Sequence, residues 1–324
     1  MRIIKKGAVL LVILLAFVCF PNTFYADTEK NGWVSTGGTW YYYVNDEKKC
    51  NEWFFDNSKW YYFDAKGKMV SSEWVEDGDA WYYMKTDGSM ATGWVSDSGN
   101  WYYMKANGKM ATGWVSDRGD WYYMKANGKM ATGWVNDGGK WYYMKANGKM
   151  ATGWVNDGGK WYYMKADGKM TTGWIKDGDT SYYMNGNGVM VTGWVIDGGK
   201  WYYMKADGKM ATGWVIDDGT WYYMNEDGSM ATGWINDGRK IYCMNKDTGA
   251  MLTNSWIEGT YYTDEGEWID VYFYVDNNGI MVMNAWAYID EEWYYFDESG
   301  ARVTGECYID GKHYCFDENG VLIE

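Results

Sequence analysis

The sequence predicts an all-β chain, a solenoid of about 14 β-hairpins of roughly 20 residues each. Three observations predict it. Tryptophans recur every 20 residues at Trp74, Trp94, Trp114, Trp134, Trp154, Trp174, Trp194, Trp214 and Trp234. Each is followed by a turn signal and a second aromatic run. The one proline, Pro21, stands near the N-terminus, and units this short leave no room for a long helical period.

One copy illustrates the unit. Gly113-Trp114-Val115-Ser116 reads as a short strand, Asp117-Arg118-Gly119 as a turn, and Trp121-Tyr122-Tyr123-Met124 as a second strand rich in β-formers. Asn127-Gly128 then marks a tight connection, because Gly accepts positive φ freely and Asn does so better than most residues. Asp-Gly takes the same place at Asp167-Gly168 and Asp207-Gly208. Earlier copies begin at Trp33 and Trp53, divergent ones near Trp256 and Trp286, and a degenerate one near Cys307. A lone two-stranded hairpin is marginal in water, so each must bury a face on its neighbours.

The organisation follows. Residues 1–26 read as a secretory signal: Arg2, Lys5 and Lys6 are the cationic start, Gly7 to Phe20 the apolar run, and Ala26 a small residue before the cut. Residues 27–255 are the repeat array, and 256–324 hold divergent repeats and a terminal cap. Without the signal and its three cations, 27 basic residues face 44 acidic ones, a net charge of −17. That balance excludes ordinary nucleic-acid binding, which needs a basic surface.

Catalysis finds no constellation. The one histidine, His313, sits in the terminal cap, so no Ser-His or Cys-His pairing is marked. Carboxylates such as Asp77, Asp117 and Asp137 stand at turns, where capping the turn is the expected role. The mature cysteines Cys50, Cys243, Cys307 and Cys315 lack CxxC spacing, and neither a metal nor a cofactor is expected. Export would allow a Cys307–Cys315 bridge, and simple drift from the consensus explains these residues equally well.

Strand alternation splits the aromatic run into two faces: Trp121 and Tyr123 on one, Tyr122 and Met124 on the other. One face serves as core. The chain holds 24 Trp and 32 Tyr against 9 Phe, so its rings are the amphipathic ones, suited to meeting something wet or charged. Two Trp on paired strands and a Tyr from the next hairpin would wall a small electron-rich cavity, which attracts a quaternary ammonium.

Gly-Trp, then Trp-Tyr-Tyr seven residues on, then Asn/Asp-Gly-x-Met-x-Thr-Gly-Trp closely resembles the choline-binding (cell-wall-binding) repeat of Gram-positive surface proteins, over essentially residues 31–324. The resemblance implies a left-handed superhelix of hairpins that binds choline groups of teichoic or lipoteichoic acid. It further implies a secreted, cell wall-associated protein without enzymatic activity, and choline-linked homodimers occur in such a family. A carbohydrate (glucan)-binding or host-adhesion module is the alternative, since stacked aromatics also bind sugar rings and the tail, Ile309-Asp310-Gly311-Lys312-His313-Tyr314, looks like glucan-type repeats.

Carried across by position, the resemblance implies cages of two Trp, a Tyr from the next hairpin and a nearby Met. Trp94, Trp101, Tyr123 and Met110 make one; Trp114, Trp121, Tyr143 and Met130 the next. Trp134, Trp141, Tyr163 and Met150 follow, then Trp154, Trp161, Tyr183 and Met170. Trp194, Trp201, Tyr223 and Met210 form another. Nearer the start are Trp53, Trp60, Tyr83 and Met69, and Trp74, Trp81, Tyr103 and Met90. Trp33, Trp40 and Tyr62 complete a triad in which Lys49 takes the Met position. Ser181 and Ile241 should blind the junctions of Trp174 and Trp234. Cys243 should remove the Tyr serving Trp214 and Trp221, and Cys315 the one serving Trp286 and Trp293.

Overall fold

A computed structural model describes residues 3–5, 29–262 and 266–323, and every element in it is a β-strand. Residues 1–26, where a secretory signal is expected, lie outside the described residues apart from Ile3–Lys5, which pairs in parallel with Trp74–Glu76. Fourteen sheets stand among the described residues, each built on an antiparallel hairpin, as the repeat predicts. No helix among them is long and apolar enough to cross a membrane.

Strands Gly113–Asp117 and Asp120–Met124 show how each hairpin closes. Trp114 faces Tyr123, Val115 faces Tyr122 and Ser116 faces Trp121 across the pair. The two loop residues, Arg118 and Gly119, have φ of 50° and 86°. Positive φ at both is the twist that matches two right-handed strands, and it explains the glycine of this turn. After the hairpin, Gly128 N–H donates to the Lys125 carbonyl at 2.8 Å, and Asn127 Oδ1 accepts the Lys129 N–H at 3.1 Å.

The link between neighbours is a backbone hydrogen bond. Met130 bridges Met124 of the preceding hairpin and donates its N–H to the Trp101 carbonyl, one hairpin further back, at 2.8 Å. Each connection therefore ties two hairpins, and the pattern recurs as Met110 to Trp81, Met150 to Trp121 and Met230 to Trp201. The core is one hairpin thick. Val115, Tyr122 and Met124 are buried on one face, with Ala111 beside them. Alternation sends Trp114, Trp121 and Tyr123 to the other face.

The chain forms two compact units, Met1–Val155 with Met164–Met170, and Asn156–Tyr163 with Thr171–Glu324. The second holds the longest hairpin, Ser255–Tyr262 with Trp268–Val275, and the terminal ones, Ala285–Phe296 and Gly305–Phe316. In the last of these Cys315 lies opposite Glu306 and Cys307 opposite Tyr314, so the two thiols point to opposite faces. Cys307 and Cys315 are accordingly free, and the bridge that export would allow is not formed.

Candidate functional site

Successive hairpins pack front to back, and the site is the gap between them. The forward face of hairpin 93–104 presents Trp94 and Trp101, whose rings lie 6.3 Å apart at 83°. The rear face of the next hairpin brings Tyr122 to 4.7 Å from the Trp94 ring. Met130, tied to the Trp101 carbonyl, packs with Trp94 and closes the fourth side. Two perpendicular indoles, a phenol and a thioether thus line one concave space. Trp101 is 49 % exposed and Trp121 46 %, so these second indoles form walls open to solvent rather than core, whereas Trp81 is half-buried against its core cluster.

The same cage recurs. Trp33, Trp40, Tyr61 and Met69 line a cavity of 310 Å³. Trp53, Trp60, Tyr82 and Met90 line one of 440 Å³, Trp194, Trp201, Tyr222 and Met230 one of 280 Å³, and Trp214, Trp221, Tyr242 and Met251 one of 270 Å³. These are volumes for a small head group. A polar residue from the following turn completes the rim: Asp87, Asn107, Thr248 or Asn278.

Carboxylates hold the walls. The Trp94 indole N–H donates to Asp117 at 3.1 Å, Trp114 to Asp137 at 3.0 Å, and Trp53 to Asp77 at 3.0 Å. Trp33, Trp74, Trp194 and Trp214 use Asp56, Asp97, Asp217 and Asp237 in the same way. The turn-capping role expected for Asp77, Asp117 and Asp137 is therefore corrected, because each reaches back to the preceding hairpin's indole. The signal was present in the sequence as an Asp at one fixed place in nearly every repeat. Burial first, and then Asp77 and Asp97, push the Tyr82 and Tyr102 phenols up. Negative charge beside electron-rich rings favours a cation.

The structure groups the expected residues differently. Tyr83, Tyr103, Tyr123, Tyr143, Tyr183 and Tyr223 each sit 5.1 Å from the Trp opposite them in their own hairpin, at Trp74, Trp94, Trp114, Trp134, Trp174 and Trp214. Tyr62 likewise pairs with Trp53, at 5.2 Å, and is fully buried. The phenol that crosses to the preceding hairpin is the first Tyr of each run. Alternation is the reason: the Tyr sharing a face with its own Trp looks forward, whereas the neighbour's cage needs one that looks back. The methionines shift with it. Met69 serves Trp33 and Trp40, so Lys49 does not stand in that cage; it approaches Phe54 and Glu52 instead. Met90 lies with Trp53, and Met110 with Trp74, Trp81 and Tyr102. Met150 packs with Trp114, and Met210 donates its N–H to the Ser181 carbonyl. Met170 donates to the carbonyl of Trp141, whose ring lies 6.3 Å from that of Trp134. Trp154, Trp161 and Tyr163 repeat the same residue types in sequence, and Trp161 is exposed.

At two junctions expected to lack a Tyr, the aromatic walls are complete. Cys243 occupies the second-Tyr position, so Tyr242 still walls the Trp214–Trp221 cage. Tyr314 lies 4.9 Å from Trp286, which lies 6.4 Å from Trp293, so Cys315 removes nothing. At Trp174 Tyr202 is present, but Ser181 supplies no indole wall, and at Trp234 Ile241 packs into core with Val275 and Phe273. Among the described residues, Glu306, His313 and Cys315 bring potential metal-ligand atoms within 4.8 Å of one another on the terminal hairpin.

Rows of aromatic cages between stacked hairpins, many with a carboxylate behind the first indole, define a hairpin-repeat binding protein. The chain belongs to the choline-binding repeat family: that repeat matches residues 72–112, 111–152, 151–192, 191–227, 211–256 and 284–323, and the putative cell wall binding repeat matches 31–47 and 51–69. Among solved structures it is similar to CbpJ of Streptococcus pneumoniae, with 32 % identity and a TM-score of 0.53 over 77 % of this chain and 99 % of that one. Choline binding protein F of the same organism, solved with a peptidoglycan analogue, is 31 % identical with a TM-score of 0.51, over 78 % of this chain and 99 % of that. The modular autolysin LytC, also from that species, is 29 % identical with a TM-score of 0.52, over 70 % of this chain and 54 % of that. No curated protein matches the chain.

Proposed function

We propose that this chain attaches non-covalently to the cell wall by gripping choline groups of teichoic or lipoteichoic acid in its aromatic cages, after export directed by residues 1–26. The observation that carries this reading is the second Trp of each cage. An indole left nearly half exposed in repeat after repeat contributes little to core burial, and it offers its face to a ligand.

The energetics favour a polymeric ligand. A few cation–π contacts at roughly 0.5–2 kcal/mol each give weak single sites. A total of about 4 kcal/mol corresponds to roughly millimolar affinity. Engaging a second choline on the same polymer is intramolecular, and avidity rises by roughly 10²–10⁴. Net acidity repels the polymer's phosphates, so attraction must be local to the cages.

Titration of tryptophan fluorescence with free choline, run beside a glucan oligosaccharide, tests this. Quenching or a spectral shift by choline alone supports the reading. Response to glucan alone transfers the site to carbohydrate recognition.

A further inference from the structure

In most of the cages above, the residue whose N–H donates to the carbonyl of the second aromatic wall is methionine, as Met130 does to Trp101, and at Trp293 it is Leu322. At the Trp256 repeat that residue is Arg302, whose N–H donates to the Tyr272 carbonyl at 2.8 Å. Tyr272 faces Glu258 across the hairpin, the position that the second Trp takes elsewhere. Tyr294 of the next hairpin lies 5.0 Å from the Trp256 ring. All three aromatic walls are therefore present. The Arg302 guanidinium lies over two of them, 4.5 Å from the Tyr272 centroid and 5.7 Å from that of Trp256. One terminal nitrogen donates to the Glu318 carbonyl at 3.4 Å, while Nε is buried with no hydrogen-bond partner. The stem packs so closely on Gly320 that a Cβ there would collide with it. A partly desolvated guanidinium with so few hydrogen bonds needs other stabilisation, and ring faces supply it.

We propose that Trp256, Tyr272 and Tyr294 form a further cation cage of the same construction, occupied in cis by the guanidinium of Arg302, so that this junction takes no external quaternary ammonium. The inference rests on the choline reading for the ligand it excludes, but not for the cation it holds. A tethered cation is always present at high effective concentration, and a weak free ligand cannot displace it. Sequence at one position thus adds an interruption to those at Trp174 and Trp234, and it locks the long hairpin to its neighbour without a polymer.

The test uses the full chain, labelled at the methionine methyl groups, and the variant Arg302→Met. With choline added, the methyl signal that this substitution introduces should move with a midpoint within about threefold of that of Met230. If the introduced signal stays silent while Met230 moves, the proposal is overturned. If no methionine of the unmutated chain moves, the choline reading falls, and Arg302→Ala decides the inference separately. Recovery of its lowered melting temperature by millimolar methylguanidinium, but not by sodium chloride, upholds an internal cation site. Absence of that recovery overturns it.

Discussion

The indole N–H of Trp94 donates to the carboxylate of Asp117 on the next hairpin, 3.1 Å away. One bond orients a cage wall, joins two repeats and places a negative charge behind the ring that would meet a cation. Replacing Asp117 separates these roles. Asp117→Asn keeps an acceptor and loses the charge, so choline affinity at this cage should fall by about threefold with the fold intact. Asp117→Ala should also lower stability by about 1 kcal/mol. Urea unfolding and choline titration of both variants check this, and equal affinity for Asp117→Asn and the parent would remove the electrostatic role.

The face assignment makes an asymmetric prediction for two adjacent tyrosines. Tyr122 walls the cage of Trp94, whereas Tyr123 packs on Trp114 in its own hairpin. Tyr122→Leu should abolish the choline response of the neighbouring Met130 methyl group. Tyr123→Leu should leave it within about twofold while costing stability. The reverse outcome would restore the grouping expected from sequence.

Trp101, Trp121 and Trp141 are each nearly half exposed, so changing them together tests retention without dismantling the core. The triple change to Leu should reduce retention on a choline-bearing resin, with free choline eluting it at a concentration lower by about tenfold. Circular dichroism should keep its parent shape. Undiminished retention by a folded variant would end the multivalent reading.

Gly128 carries φ of 77° and lies against Met110, with no space for a Cβ. Gly128→Ala combines left-handed strain with a collision, and should cost roughly 1–3 kcal/mol. Gly119, with φ of 86° but open space around it, should suffer only the strain when changed to Ala. Thermal unfolding of the pair measures the difference, and equal losses would show that the Met110 contact carries no cost.

Alkaline pH acts on the phenols. Burial, then Asp77 and Asp97, raises the Tyr82 and Tyr102 pKa values above 10.0. A group raised in the folded state binds its proton more tightly there. Its contribution is complete below the unfolded value and lost as pH rises through the folded one. The melting temperature should therefore fall beyond about pH 10, in step with phenolate absorbance. Phenolate forming without any fall would disprove the linkage.

Much of this molecule was legible from residues alone. Spacing of Trp74, Trp94 and Trp114 dictated the repeat, Arg118-Gly119 and Asn127-Gly128 the turns, and the alternation of Trp121-Tyr122-Tyr123-Met124 the two faces of the strand. Those are local properties, set by φ, chirality and period. Which hairpin's front meets which hairpin's back is not local. Only the stacked structure decided that Tyr122 rather than Tyr123 belongs to Trp94, that Met130 rather than Met110 closes that cage, and that Asp117 holds an indole instead of a turn. The reason is physical: a cage is assembled from three segments far apart in the chain, and their common space exists only after the hairpins have packed.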